Sequence, residues 1–256
     1  MTQYLLFTLA APIASFGTVA VGERRPTWDR PSKSQIIGLI AGCLGIERLD
    51  DERQQALAAS LGFAVRIDDP GQLATDYHTA QTPKMPRIKD WVKANGPIRT
   101  RADELAVEDL KTILSQREYR TGSCYTVCLW LNANASASLE EIRTKIISPV
   151  FVPFAGRKAN ALMFPMRPEL VEAVSIDAAF SAFDARRPSE IAALWQNLQF
   201  EPKGHAQIFC DADGAHAHPV ARLEERRDIP ESRNKWRFGL RTEVLLGKAE
   251  NTGDTP

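Results

Sequence analysis

Cysteine and histidine are scarce in this chain of 256 residues, with four of each, and net charge is absent because 32 Lys and Arg balance 32 Asp and Glu. Cys43, Cys124, Cys128 and Cys210 stand in apolar segments and lack the paired short spacings of a zinc site, so reduced, buried thiols are expected. Zero net charge supplies no global attraction to nucleic acid, and any basic surface must come from local clustering. Long apolar runs are missing too: none approaches the roughly 18 residues of a membrane span. The apolar N-terminus has no cationic start of the signal-peptide kind, and residues 4–9 read as a buried first strand. There is no P-loop, no GxGxxG after a strand and no G-x-S-x-G. These absences lead us to expect a cytoplasmic protein with no cofactor, no metal and no membrane partner. With 44% hydrophobic and 25% charged residues, the chain can bury a substantial core.

The stretch with most local character is RRPTWDRPSKSQIIGLIAGCLGI, residues 24–46. Ser32 and Gln35 have the spacing of a capping box, Pro31 fixes the entry, and Gly45 supplies a C-terminal stop. Ile36, Ile37, Leu39, Ile40, Cys43 and Leu44 can cover a sheet, while Gly38, Ala41 and Gly42 form a small ridge. The loop before this helix is basic and meets free helix N-terminal amides, an arrangement that welcomes an anion. The same residues also fit a plain core helix preceded by a solvated loop.

Further along, residues 51–61 read as a second helix ended by Gly62, and 63–67 as a strand with Arg66 on the face opposite Phe63 and Val65. Apolar density falls over residues 68–122, where Pro70, Pro83, Pro86 and Pro97 interrupt an excursion from the core. It contains TDYHTAQTPKMPRIKDW, whose cations and aromatic rings suit phosphates and bases, or simply a charged surface loop. Residues 102–114 read as helical and CYTVCLWL at 124–131 as a strand. A helix over 138–147 opens on a Ser138/Glu141 box. Gly156, Arg157 and Lys158 then sit between two apolar runs, where glycine permits close backbone approach and the cations can meet phosphate. Residues 177–198 are mixed helical, 206–210 and 235–246 are strand candidates, and 248–256 form a polar tail expected to fray. The order strand, helix, strand, excursion, strand, helix predicts an α+β chain, a ferredoxin-like βαββαβ unit with a long insertion.

Several of these segments resemble the CasD family, the RAMP-superfamily subunits of type I-E CRISPR Cascade complexes. The matching pieces are YLLFTLAAPIASFG, RPTWDRPSKSQIIGLIAGCLGI, DYHT, YTVCLWL, PVFVPFAGRK and RFGLRTEVLL, in order over nearly the whole chain. The chain departs from that pattern after GRK, where it carries Ala159, Asn160 and Ala161. The resemblance implies a single RRM-like (ferredoxin-like) RAMP domain over residues 1–247, with an inserted thumb at about 75–122, a C-terminal β-containing extension and a disordered tail at 248–256. It implies a scaffolding subunit that grips the 5′ handle of the CRISPR RNA and caps the backbone of the assembly. Its partners would be the backbone and large subunits and, through the complex, target DNA. Arg24, Arg25, Arg30 and Lys33 would then meet phosphates, Trp28 or Tyr77 would stack on a base, and Ser34 would donate a hydroxyl hydrogen bond. His78 and the Gly156, Arg157 and Lys158 loop would complete the RNA contacts.

The competing reading is a metal-independent endoribonuclease that processes precursor CRISPR RNA, as the equivalent type I-C subunits do. Such an enzyme needs a base, an acid and a cation around one phosphate, and His78, Tyr77 and Lys84 or Lys158 are the candidates. In the type I-E complexes a separate subunit cuts, so no catalytic residue is expected here. His205, His216 and His218 lie near Asp211 and Asp213, but a solvated turn explains that grouping better than a metal site.

Overall fold

A computed structural model describes residues 1–18, 20, 22–107, 109–133, 135–198, 200, 207–215, 218–232 and 234–247. Of the residues read from sequence, His205, Ala206, His216 and the tail 248–256 lie outside this set. The chain divides into two compact units, one formed by Met1–Phe16, Trp28–Gln72 and Arg120–Pro256, the other by Gly17–Thr27 and Leu73–Tyr119.

The larger unit is built on a sheet in the order β6-β1-β5-β3-β7-β9-β8. These strands are β1 (Thr2–Ala14), β3 (Leu61–Asp69), β5 (Leu110–Leu131), β6 (Glu169–Ala173), β7 (Gln207–Asp211), β8 (Val220–Ser232) and β9 (Arg237–Leu246), and among the described residues neighbouring strands of this path run antiparallel. The apolar run of β1 is continuous because both faces of the strand are covered. Leu5, Phe7 and Leu9 pack on one side with α1 (Lys33–Leu44), α2 (Asp51–Ser60) and α5 (Leu139–Ile147). Tyr4, Leu6 and Ala10 pack on the other with α6 (Ile176–Ala185) and α7 (Ser189–Leu198). Each fully buried side chain of this size contributes about 2 kcal/mol of burial.

The caps read from sequence form where expected: at α1 the full box is present, Ser32 accepting from the Gln35 amide and Gln35 from the Ser32 amide, whereas at α5 only the Ser138 half forms, accepting from the Glu141 amide. Gly45 closes α1 in the left-handed region at φ 74°. Gly62 does not stop α2, as expected, but lies inside β3 opposite Trp130, where a Cβ would fall 2.0 Å from the indole. The helix expected over 102–114 is also corrected. Only α4 (Arg101–Leu105) forms, and the chain is a strand from Leu110 onward, because Thr112 and Ile113 favour the extended form once partner strands are present.

In the smaller unit β2 (Arg24–Arg25) pairs in parallel with Gln116 and Arg117 of β5, and β4 (Gln72–Pro83) also pairs with β5. The amphipathic α3 (Met85–Asn95) buries no residue within the chain. Among the described residues no helix is long and apolar enough to cross a membrane.

Candidate nucleic-acid interface

The basic loop before α1 turns inward. Arg30 is 2% exposed; it donates from Nε and Nη2 to Glu243 at 3.1 and 2.6 Å, from Nη2 to Glu224 at 2.7 Å and from Nη1 to Asp29 at 2.8 Å. Its guanidinium carbon lies 3.4 Å from the centroid of the Phe209 ring. Lys33 is buried as well, its Nζ 2.7 Å from Asp211 Oδ2. Arg241 links Asp211, Asp228 and Glu243, and Arg226 donates to Glu243 at 3.1 Å. The expectation that Arg30 and Lys33 face RNA phosphates is therefore corrected: β7, β8 and β9 bring carboxylates to them that lie far away in sequence. Burial alone would raise the Glu243 carboxyl, but Arg226, Arg30 and Arg241 hold it below the ordinary glutamate value. At Asp211 burial prevails over Lys33 and Arg241, and its pKa rises.

The helix N-terminus is likewise occupied from within. Asp228 Oδ2 accepts from the Lys33 amide at 3.0 Å, and Ser32 takes the Gln35 amide. The anion welcomed there is thus a carboxylate of the protein's own β8. Trp28 has the Arg226 guanidinium 4.6 Å from its ring centroid, so a cation already covers it.

Beyond these ion pairs an open groove of about 1110 Å³ runs beside α1. Gly38, Leu39 and Gly42 of α1 line it, and a Cβ on Gly42 would meet no atom within 4 Å. The facing wall is the segment after α5, held to the helix end by Val150 N–H to Cys43 O at 3.0 Å and Phe151 N–H to Gly42 O at 3.1 Å. Phe151, Phe154, Gly156 and Lys158 line that wall, Ser34 and Gln35 one end, and Arg48 and Trp236 complete the groove. Trp236 is 63% exposed, and the Arg48 guanidinium carbon sits 4.1 Å from its ring centroid.

The glycine of GRK is a steric requirement. Gly156 has φ 88°, and a Cβ would stand 1.8 Å from the Ser15 carbonyl oxygen. Asn160 closes the loop, its side-chain amide donating to Ala155 O at 3.1 Å and its carbonyl accepting from the Ala155 amide at 2.9 Å. The departure after GRK therefore keeps the turn closed through a buried asparagine. Arg157 is half-buried and Lys158 exposed.

Ser34, Gly156 and Lys158 thus share the groove. Arg24, Arg25, Tyr77 and His78 belong to the smaller unit. Arg24 lies 3.6 Å from Glu118, Arg25 donates to the Gly22 carbonyl, and Tyr77 is exposed. His78 Nε2 lies 2.6 Å from Asp76 Oδ2 without hydrogen-bond alignment. As neighbours in β4, Tyr77 and His78 point to opposite faces. Lys84 is held by Asp109 at 2.8 and 2.9 Å. Arg48, Phe151, Phe154 and Trp236 are not marked as site residues by the sequence; the three aromatics stand in segments that read as a strand or an apolar run, and nothing local singles out Arg48. Among the described residues no group of three or more His, Cys, Asp or Glu can hold a metal ion. His218 instead pairs with Asp177 at 2.9 Å.

The architecture belongs to a known class. The chain matches the model of the family described as CRISPR-associated protein (Cas_Cas5) over residues 4–243, and it belongs to that family. It is similar to the CRISPR system Cascade subunit CasD of Escherichia coli (strain K12), at 32% identity over 166 residues, 65% of this chain and 70% of CasD. Among solved structures, a chain of a CRISPR RNA-guided surveillance complex superposes with TM-score 0.59 at 21% identity, covering 95% of this chain and 89% of that one. A crystal structure of a Cas protein gives TM-score 0.53 at 22% identity, with 95% of each chain covered. These two likenesses are of fold.

Proposed function

We propose that this chain is a non-catalytic, RNA-binding subunit of a Cascade-type CRISPR surveillance complex in the cytoplasm, and that its α1 groove holds the 5′ handle of the CRISPR RNA. The observation that carries this reading is the convergence of Ser34, Gly156 and Lys158 with Phe151, Phe154 and the Arg48–Trp236 pair in one groove. A hydroxyl, a cation beside a glycine turn and the exposed rings of Phe151 and Phe154 are what an unstacked RNA strand uses, with Arg48 on Trp236 as a further cation. The strand order β6-β1-β5-β3, all antiparallel, supports a ferredoxin-like RAMP core in which β7 to β9 are the extension. Membership in the family and likeness to CasD support assembly with backbone and large subunits.

Lys158→Ala is expected to weaken binding of a 5′-handle RNA about 3- to 10-fold near physiological salt and to reduce the salt slope by about 0.7, one phosphate contact to a single strand. Fluorescence anisotropy across a salt series reads both, and an unchanged slope removes Lys158 from the RNA.

The non-catalytic assignment is supported by the divergence of Tyr77 and His78 on β4 and by the engagement of Lys84 with Asp109. Incubation with repeat-containing precursor RNA is expected to leave it intact. Site-specific cleavage that disappears in His78→Ala would establish the endoribonuclease instead.

A further inference from the structure

A small cleft lies on the opposite face of the sheet. Thr8 projects from β1 on the side of Leu6 and Ala10, away from α1, and lines this cleft with Arg167, Glu169, Phe183, Arg186 and Arg187. Three guanidinium groups face one carboxylate there, a local excess of cations in a chain with no net charge. Two of the arginines are held in place. Arg186 donates from Nη1 to the Leu170 carbonyl at 2.9 Å. Arg187 donates to Asp184 at 2.7 Å, with its guanidinium carbon 3.9 Å from the centroid of the Trp195 ring. Asp184 does not offset them in full, because it also accepts from Arg66 at 2.6 and 2.9 Å.

Arg167 carries the second observation. Its φ is 52°, one of three non-glycine residues with positive φ among those described, and Pro168 follows it. A residue before proline is pushed toward the extended region, so this conformation is costly twice over. Such outliers persist where the surrounding structure imposes them, and they concentrate at ligand clamps. The cleft is small, about 30 Å³, and opens to solvent, so the phosphate oxygens of a strand would be met at its mouth rather than enclosed.

We propose that the cleft of Arg167, Arg186 and Arg187 is a second phosphate-binding site that takes a phosphodiester of a nucleic-acid strand, separate from the α1 groove. Planar guanidinium forks match phosphate oxygens two at a time, and prior anchoring of Arg186 and Arg187 reduces the ordering cost of binding. The proposal rests on the reading of this chain as an RNA-binding protein, and the two share no residue.

The test uses the purified full chain, a labelled single-stranded RNA oligonucleotide and anisotropy across a salt series, with inorganic phosphate titrated separately by calorimetry. Arg167→Ala and Arg186→Gln are each expected to weaken RNA binding about 3- to 10-fold and to lower the salt slope by about 0.7, while Arg167→Lys keeps the slope. Unchanged thermal melting shows that the variants fold. Slopes equal to wild type in both variants, with Lys158→Ala still lowering it, overturn the cleft and leave the groove standing. Phosphate heat that vanishes in Arg167→Ala without any change in RNA slope makes it a free-phosphate site and also overturns the proposal. A wild-type chain with no RNA affinity overturns the RNA reading itself, and Lys158→Ala then has nothing to alter, which separates that failure from the cleft's own.

Discussion

Glu243→Gln is expected to lower the unfolding free energy by about 3–5 kcal/mol, the usual consequence of breaking a buried ion pair from one side. Glu243 is fully buried and accepts from Arg30, Arg226 and Arg241. A neutral amide keeps the volume but leaves three guanidiniums short of one negative charge. For a chain of this size the midpoint of thermal unfolding should fall by roughly 10 °C. The pH dependence gives the effect a sign. The folded carboxyl titrates below its ordinary value of 4.5, so its contribution is complete above that pH and is lost as pH falls through the folded value. The gap between wild type and variant should therefore be widest near neutrality and close in acid. Asp211, whose pKa is raised, shares Arg241 with Glu243, so the two titrations are coupled and the acid limb of the difference reports both carboxyls. Denaturant titrations at several pH values measure this, and a neutral-pH loss below about 1 kcal/mol would mean that the network is far better solvated than its geometry implies.

Gly156→Ala should abolish RNA retention more completely than removal of the Lys158 charge, about 10- to 100-fold, because it displaces the whole turn rather than one contact. A Cβ 1.8 Å from the Ser15 carbonyl cannot be accommodated by a side-chain rotation, and the left-handed φ of 88° adds about 1–2 kcal/mol for any L side chain. Gly42→Ala in the same groove is the matched control. Its Cβ enters open space in the last turn of α1, so helix propensity should stabilise the chain by up to about 1 kcal/mol. Binding of handle RNA by Gly156→Ala at the wild-type level would detach the GRK turn from RNA recognition.

Both variants act through carboxylates or carbonyls that the linear sequence does not place beside them. Local chemistry did determine much. The S-x-x-Q and S-x-x-E spacings specified the starts of α1 and α5, Gly45 the end of α1, and the continuous apolar runs YLLFTL and CYTVCLWL the two central strands. These follow from bonds within a few residues and from two-sided burial, so one sequence suffices. The motifs of α1 and GRK also carried the family resemblance, and Ser34, Gly156 and Lys158 do meet in one groove.

The direction in which a cation points depends on partners distant along the chain, and only the tertiary structure decided it. Arg30 and Lys158 both stand in basic loops in the sequence, yet Arg30 is enclosed by Glu224 and Glu243, some 200 positions away, while Lys158 is exposed in the groove. The same holds for the α1 N-terminus, where Asp228 supplies the anion, and for β4, whose polar alternation gave no strand signal until β5 paired with it. Helix caps and buried runs are determined by neighbours in the chain, whereas a charged side chain is settled by the nearest opposite charge in space.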